Sequence, residues 1–118
     1  MLENYRKLTF QEKNILTKIL SIEKEKNKFY LRQIEALELF EVDETLFKLK
    51  NNQVGSILKS PLYALPIKCT YKDLDEQLVY IFLFANQENY LSEIEFWKPS
   101  GETIKTYFTE AELFLEHE

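Results

Sequence analysis

The sequence predicts an α+β fold: two N-terminal helices packed on an antiparallel sheet of four to six strands, with a three-stranded meander in its C-terminal half. Three observations predict it. Apolar residues recur at helical spacing near the N-terminus, where Ile15, Leu16, Ile19, Leu20 and Ile22 make a one-sided stripe. Between Pro66 and Ile104, three runs of strand-like residues are separated by two polar turns. The middle run, Leu78-Val79-Tyr80-Ile81-Phe82-Leu83-Phe84-Ala85, carries no polar group except a tyrosine hydroxyl. A strand with one wet face alternates, so this one is expected to be covered on both faces.

The first helix is expected from about Phe10 to Ile22. Thr9 and Glu12 form a Thr-x-x-Glu capping box that satisfies two amide donors at its start. The charged stretch Glu23 to Lys28 either prolongs this helix or turns away from it, with its charges in water. A second helix is expected from Phe29 to about Leu37, with Tyr30, Ile34 and Leu37 on one face. Residues 37–43 fit helix or strand, because Leu39, Phe40 and Val42 suit either period. Thr45 to Lys50 alternates as a strand, Asn51 to Ser56 is a turn, and Ile57 to Lys59 is a short strand ended by Pro61. In the meander, Ile67, Cys69 and Tyr71 point one way and Lys68, Thr70 and Lys72 the other. Asp73 to Gln77 forms an acidic, solvated loop, and Asn86 to Asn89 turns the apolar strand back. Tyr90 to Trp97 closes the meander, with Ile94 and Phe96 on one face and Glu93 and Glu95 on the other. Pro99-Ser100-Gly101 is a turn. Thr109 and Glu112 repeat the capping-box pattern, which predicts a short last helix carrying Leu113 and Phe114.

With 118 residues, 45% of them apolar, the chain suits one domain, 1–118, with a real core. Two glycines and three prolines leave no room for a long linker. The lone Cys69 forms no intrachain disulfide, which favours a reducing compartment. Met1 to Lys7 has no apolar signal region, and the longest apolar run is too short to cross a bilayer as a helix. A cytoplasmic location is expected. The first 59 residues hold 11 Lys/Arg against 9 Asp/Glu, and the last 59 hold 4 against 11. The acidic half disfavours nucleic acid and anionic membrane and favours a basic partner.

Residues that carry chemistry are few. The sole histidine, His117, stands next to the last residue, and with one cysteine there is no Cys/His zinc set. Asp73, Asp75 and Glu76 resemble the start of a calcium loop, but its sixth and twelfth positions hold Leu78 and Phe84, not glycine and a carboxylate. Cys69 falls on the inward face of its strand, where a thiol is an inert small hydrophobe. Gly55 and Gly101 are isolated, so no phosphate cradle exists. Lys24, Lys26, Lys28 and Arg32 lie near Phe29 and Tyr30, yet Glu23, Glu25 and Glu35 interleave with them, as at a solvated helix end. No metal, cofactor or catalytic residue is expected.

Two stretches carry a resemblance. Tyr5-Arg6-Lys7-Leu8-Thr9-x-x-Glu12-x-x-Ile15-Leu16 opens the chain. Tyr71-x-Asp73-x-Asp75 follows later, then Val79, Leu83, Leu91-Ser92-Glu93-Ile94-Glu95-Phe96-Trp97-Lys98 and Gly101. Together they resemble a family of small, uncharacterised bacterial α+β domains in which an N-terminal helix precedes an antiparallel sheet. Gln77 stands near where that pattern has an Asp-Gly turn, and Asn89 stands where a glycine precedes the closing strand. The resemblance implies the fold and a bacterial source and assigns no catalytic residue. By analogy of shape alone, it points to bacterial immunity proteins that neutralise a toxin.

The function expected is therefore non-catalytic protein binding, in its sharpest form an immunity protein whose acidic face meets the basic site of a toxin domain. Aromatic residues are 14% of the chain, more than a small core absorbs. Glu93, Glu95, Trp97, Tyr107 and Phe108 are the candidate partner-binding residues. The protein is expected as a monomer or homodimer. The alternative is a small-ligand-binding or regulatory domain with a pocket between helices and sheet, for which a cavity above about 300 Å³ would speak.

Overall fold

The computed structural model describes residues 4–54, 61–106 and 112–117. Its first helix, α1 (Phe10–Leu20), starts where the sequence places it. Thr9 Oγ1 accepts the Glu12 amide at 3.1 Å, and the Glu12 carboxylate accepts the Thr9 amide at 2.8 Å. The helix buries Ile15, Leu16, Ile19 and Leu20 and ends in a 3₁₀ turn over Ser21–Glu23. Arg6, on the short strand β1 (Arg6–Lys7), clamps Glu12 with two hydrogen bonds of 2.8 and 2.9 Å and reaches Glu41 at 3.1 Å. Bidentate pairing of this kind fixes orientation as well as charge, so the helix is tied to the sheet edge at its first turn.

The expected second helix is broken. It consists of α2 (Lys28–Leu31), four residues long, and a 3₁₀ turn at Ile34–Ala36. Strand β2 (Leu37–Glu41) follows at once and decides the open reading of residues 37–43. Ladder pairing outweighs helical propensity here: β2 runs antiparallel to β3 (Leu46–Asn51) in the register Leu37↔Asn51 to Glu41↔Phe47. Gln33 also spends both ends of its side chain on the far end of the sheet, donating to the Asn89 carbonyl and accepting from the Leu91 amide, each at 2.8 Å.

The remaining strands are β4 (Tyr63–Ala64), β5 (Ile67–Lys72), β6 (Leu78–Ala85), β7 (Leu91–Trp97) and β8 (Phe114–His117). All pairings are antiparallel, in the order β1-β2-β3-β7-β6-β5-β8, with β4 also on β6. The fold is α+β, and the described sheet has eight strands where four to six were expected. The meander β5-β6-β7 forms as read, and its closing strand returns to pair with β3, placing β7 at the centre. The expected last helix is corrected by β8, which carries Phe114 and pairs with β5 from Ile67↔His117 to Thr70↔Phe114. A segment this short gains more from completing the edge ladder than from one helical turn. The strand expected at Ile57–Lys59 lies outside the described residues.

One face of the sheet packs on the helices. Its core joins Leu16, Ile19 and Leu20 of α1 to Leu39, Leu49, Val79, Ile81, Leu83, Ile94 and Phe96. A bulge at Ser92, between the pairs Phe84↔Glu93 and Ala85↔Leu91, lets Leu91 face this core together with Ile94. The apolar strand β6 is not covered on both faces as expected. Val79, Ile81, Leu83 and Ala85 are buried, whereas Tyr80, Phe82 and Phe84 are half-buried and Leu78 is exposed. Among the described residues its unbroken apolar run reflects aromatic residues leaning on cross-strand neighbours, not a second covering layer.

Candidate functional site

The open face of the sheet gathers three of the residues singled out from the sequence. Directly opposed residues of an antiparallel pair share a face. Register therefore puts Trp97 beside Tyr80, Glu95 beside Phe82, and Glu93 beside Phe84. The Tyr80 ring lies 5.4 Å from Trp97 and 6.3 Å from Phe82, nearly parallel to the latter. The row continues from Tyr80 through Thr70 to Phe114. Trp97 and Phe114 are each 52% exposed, so the ends of this row are not consumed by packing. Tyr107 and Phe108, the other two candidates, lie outside the described residues.

Glu93 and Glu95 are half-buried, not freely solvated. Burial pushes the Glu93 carboxyl above its usual range, and the charge of Glu95 pushes the same way, with Lys48 across the ladder opposing both. Lysines share this face: Lys48 stands directly opposite Glu93, Lys72 opposite Leu78, Lys50 lies 3.8 Å from Glu38 and Lys68 3.9 Å from Glu116. Glu93 and Glu95 are the two carboxylates that border the aromatic row itself.

A second feature lies on the helix-side face, at the end of the sheet where β2, β3, β5 and β7 meet. A cleft of about 450 Å³ opens there between the β2–β3 hairpin and residues 104–106. Phe47, Tyr71, Phe96 and Ile104 line it with Thr106, and Glu41, Asp43, Glu44 and Lys105 stand among its lining. Phe47 and Phe96 meet edge to face at 5.3 Å.

The wall of this cleft is pinned by an ion-pair network that the sequence reading missed. The loop after β5 was expected to be solvated, but Asp73 is buried. Lys98 Nζ lies 2.7 Å from both Asp73 and Asp75 and 3.1 Å from the Thr103 carbonyl. Asp73 also accepts the amides of Lys105 and Leu74, each at 2.8 Å, and the Tyr71 hydroxyl donates to the Thr106 carbonyl at 3.0 Å. Burial alone would raise the Asp73 carboxyl. The hydrogen bond from Lys98 and the two amides outweigh it and hold the group well below the usual carboxylate range. A signal was present: the inward alternation Ile67, Cys69, Tyr71 continues to Asp73, and Ile94, Phe96 continues to Lys98. Parity alone aims these two polar residues at the same side.

Cys69 is buried, and burial pushes its thiol up to about 12. Among the described residues no group of three or more His, Cys, Asp or Glu side chains is placed to hold a metal ion. No helix among them is long and apolar enough to cross a membrane.

Fold and surface define a two-layer α+β domain with helices on one face of an antiparallel sheet and an aromatic, acid-bearing opposite face. The chain belongs to the family described as a domain of unknown function, DUF6984, whose model matches residues 5–108. No curated protein and no solved structure matches it.

Proposed function

We propose that this domain is a non-catalytic protein-binding module that engages a partner presenting basic side chains through the open face of its sheet. The observation that carries this reading is the placement of Glu93, Glu95 and Trp97 beside Tyr80 and Phe82 on one solvent-facing surface. Aromatic faces attract cationic side chains, and two partly desolvated carboxylates gain from a counter-charge. The buried Cys69 and the mutually satisfied Asp73, Asp75 and Lys98 favour binding over catalysis. A bacterial immunity protein held against a basic toxin domain is the sharpest form of the proposal, resting on analogy of shape.

The test uses affinity capture from source cells, followed by association kinetics with the recovered partner. Glu93→Gln with Glu95→Gln should leave the fold intact, because burial already disfavours the Glu93 charge. Association should slow, and the difference from wild type should shrink as salt rises. Trp97→Ala should speed dissociation. A partner whose kinetics ignore all three substitutions refutes this interface. The cleft at the strand ends favours a second reading, a small-ligand-binding domain.

A further inference from the structure

We propose that the outer edge of β8 takes up an extended segment of the partner as a further strand, one that carries apolar and basic side chains in alternation. The inference rests on the protein-binding reading and adds the form of the partner. β8 pairs with β5 on one side and is the last strand of the described sheet. A strand paired on one side leaves the amides and carbonyls of every second residue without a ladder partner on the other. The opposite edge is shorter: β1 has two residues, both charged, with Arg6 held by Glu12 and Glu41. Phe114-Leu115-Glu116-His117 contains neither proline nor lysine, the residues that commonly blunt an edge. An extended chain matches such a row of backbone groups, and strand addition is a recurrent mode of peptide recognition.

A ladder this short gives little affinity by itself, so side-chain contacts have to supply the rest, and both faces of the edge offer them. On the helix-side face, an open groove of about 540 Å³ lies between Leu115 and the flank of α1 that carries Ile15 and Lys18, with Ile22 at its end. Leu115 is the residue that the sheet contributes, so the groove lies at the margin of the sheet and not over its middle. A residue directly opposite Leu115 in an added strand shares its face and enters this groove. Ile15 is buried at its floor and Ile22 and Leu115 are half-buried in its wall, which suits an apolar side chain. Lys18, on the rim, meets no carboxylate among the described residues and disfavours a second cation on this side. The open face has the other sign. Residues opposite Phe114 and Glu116 stand beside a ring that is 52% exposed and a carboxylate that is 73% exposed. Lys68 holds Glu116 loosely, at 3.9 Å, so the carboxylate can take a second cation, and the Phe114 ring attracts one. A basic strand side therefore extends the row Trp97, Tyr80, Thr70 and Phe114 by one strand.

The experiment is an amide NMR titration of the whole chain, with hydrogen exchange, against three acetylated and amidated heptapeptides. The first alternates lysine and valine, with lysine at both ends. The second has glutamate in place of lysine, and the third is the lysine peptide with its central valine replaced by proline. Saturation with the lysine peptide is expected to slow exchange at alternate amides of β8 on the order of tenfold, because they gain ladder partners. It is expected to bind on the order of fivefold tighter than the glutamate peptide, the margin that exposed charge pairs supply. Glu116→Gln, at an exposed position, is expected to shrink that margin. The proline peptide, which lacks the central amide, is expected to leave β8 unprotected. Equal binding of the glutamate peptide overturns the basic assignment, and equal protection by the proline peptide overturns strand pairing. Absence of any shift on β8 overturns the proposal as a whole. If the amides of Glu93, Glu95 and Trp97 shift while β8 does not, the edge is refuted and the open-face reading stands.

Discussion

Replacing Asp73 by Asn keeps the side chain's shape and removes its charge from the most deeply buried ion pair of the described structure. The Asp73 side chain is fully shielded and that of Lys98 is 2% exposed. In the variant one carboxylate oxygen becomes an NH₂ group facing donors, either Lys98 Nζ and the Lys105 amide or the Leu74 amide. Breaking a buried pair from one side costs about 3–5 kcal/mol. Lys98 still keeps Asp75 at 2.7 Å and the Thr103 carbonyl at 3.1 Å, so the loss expected lies at the lower end, roughly 3 kcal/mol. The pH dependence has a definite sign. The Asp73 carboxyl is depressed in the folded state, so its stabilisation is complete above the unfolded value, near 3.9, and is lost as pH falls towards the folded value. Urea unfolding of both proteins at pH 7, then through a descending series, measures this. The gap should stay level down to about pH 5 and narrow below about pH 4. A gap under about 1 kcal/mol at pH 7, or one that does not narrow in acid, would refute the reasoning.

Ile81 and Phe82 are neighbours on opposite faces of β6. Ile81→Ala should cost about 2–5 kcal/mol, and Phe82→Ala, taken from a half-buried site, roughly 1–2 kcal/mol. Equal losses in denaturant titrations would mean that the open face is covered. Glu76 holds a left-handed backbone at φ 67°, a conformation that costs a non-glycine residue roughly 1–2 kcal/mol, about half of which glycine gives back in chain entropy. Glu76→Gly should therefore raise stability by up to about 1 kcal/mol, and a lowered melting midpoint would show that the Glu76 side chain contributes more than the backbone strain costs.

The residues that carry the family resemblance turn out to be those that meet in the fold. Arg6, Thr9 and Glu12 tie the first helical turn to the sheet edge. Asp73, Asp75 and Lys98 pin the sheet end that borders the cleft. This accounts for the place of these residues in the pattern by structure, whereas Glu93, Glu95 and Trp97 of the same pattern lie on the open face of the sheet. The departures from the pattern are also explained. Asn89, standing where a glycine was expected, adopts φ 65°, and Asn is one of the few side chains that tolerates that region. The turn near Gln77 places Glu76 there instead.

By itself the sequence determined what depends on neighbours along the chain: the capping box and stripe of α1, the meander β5-β6-β7, and the outward parity of Glu93 and Glu95. Capping, periodicity and turn chemistry act over a few residues, so they are legible without a partner. Tertiary structure alone decided what depends on distant contacts. Pairing with β3 made residues 37–41 a strand and ended the second helix. Pairing with β5 made Phe114–His117 an edge strand and not a helix. Among the described residues no second layer covers the aromatic face of β6, and an apolar run reads the same whether its outer half is covered by helices or only by its own neighbours. The cleft exists because four strand ends, a hairpin and the 104–106 segment converge, and no local pattern encodes the space between segments that far apart in sequence.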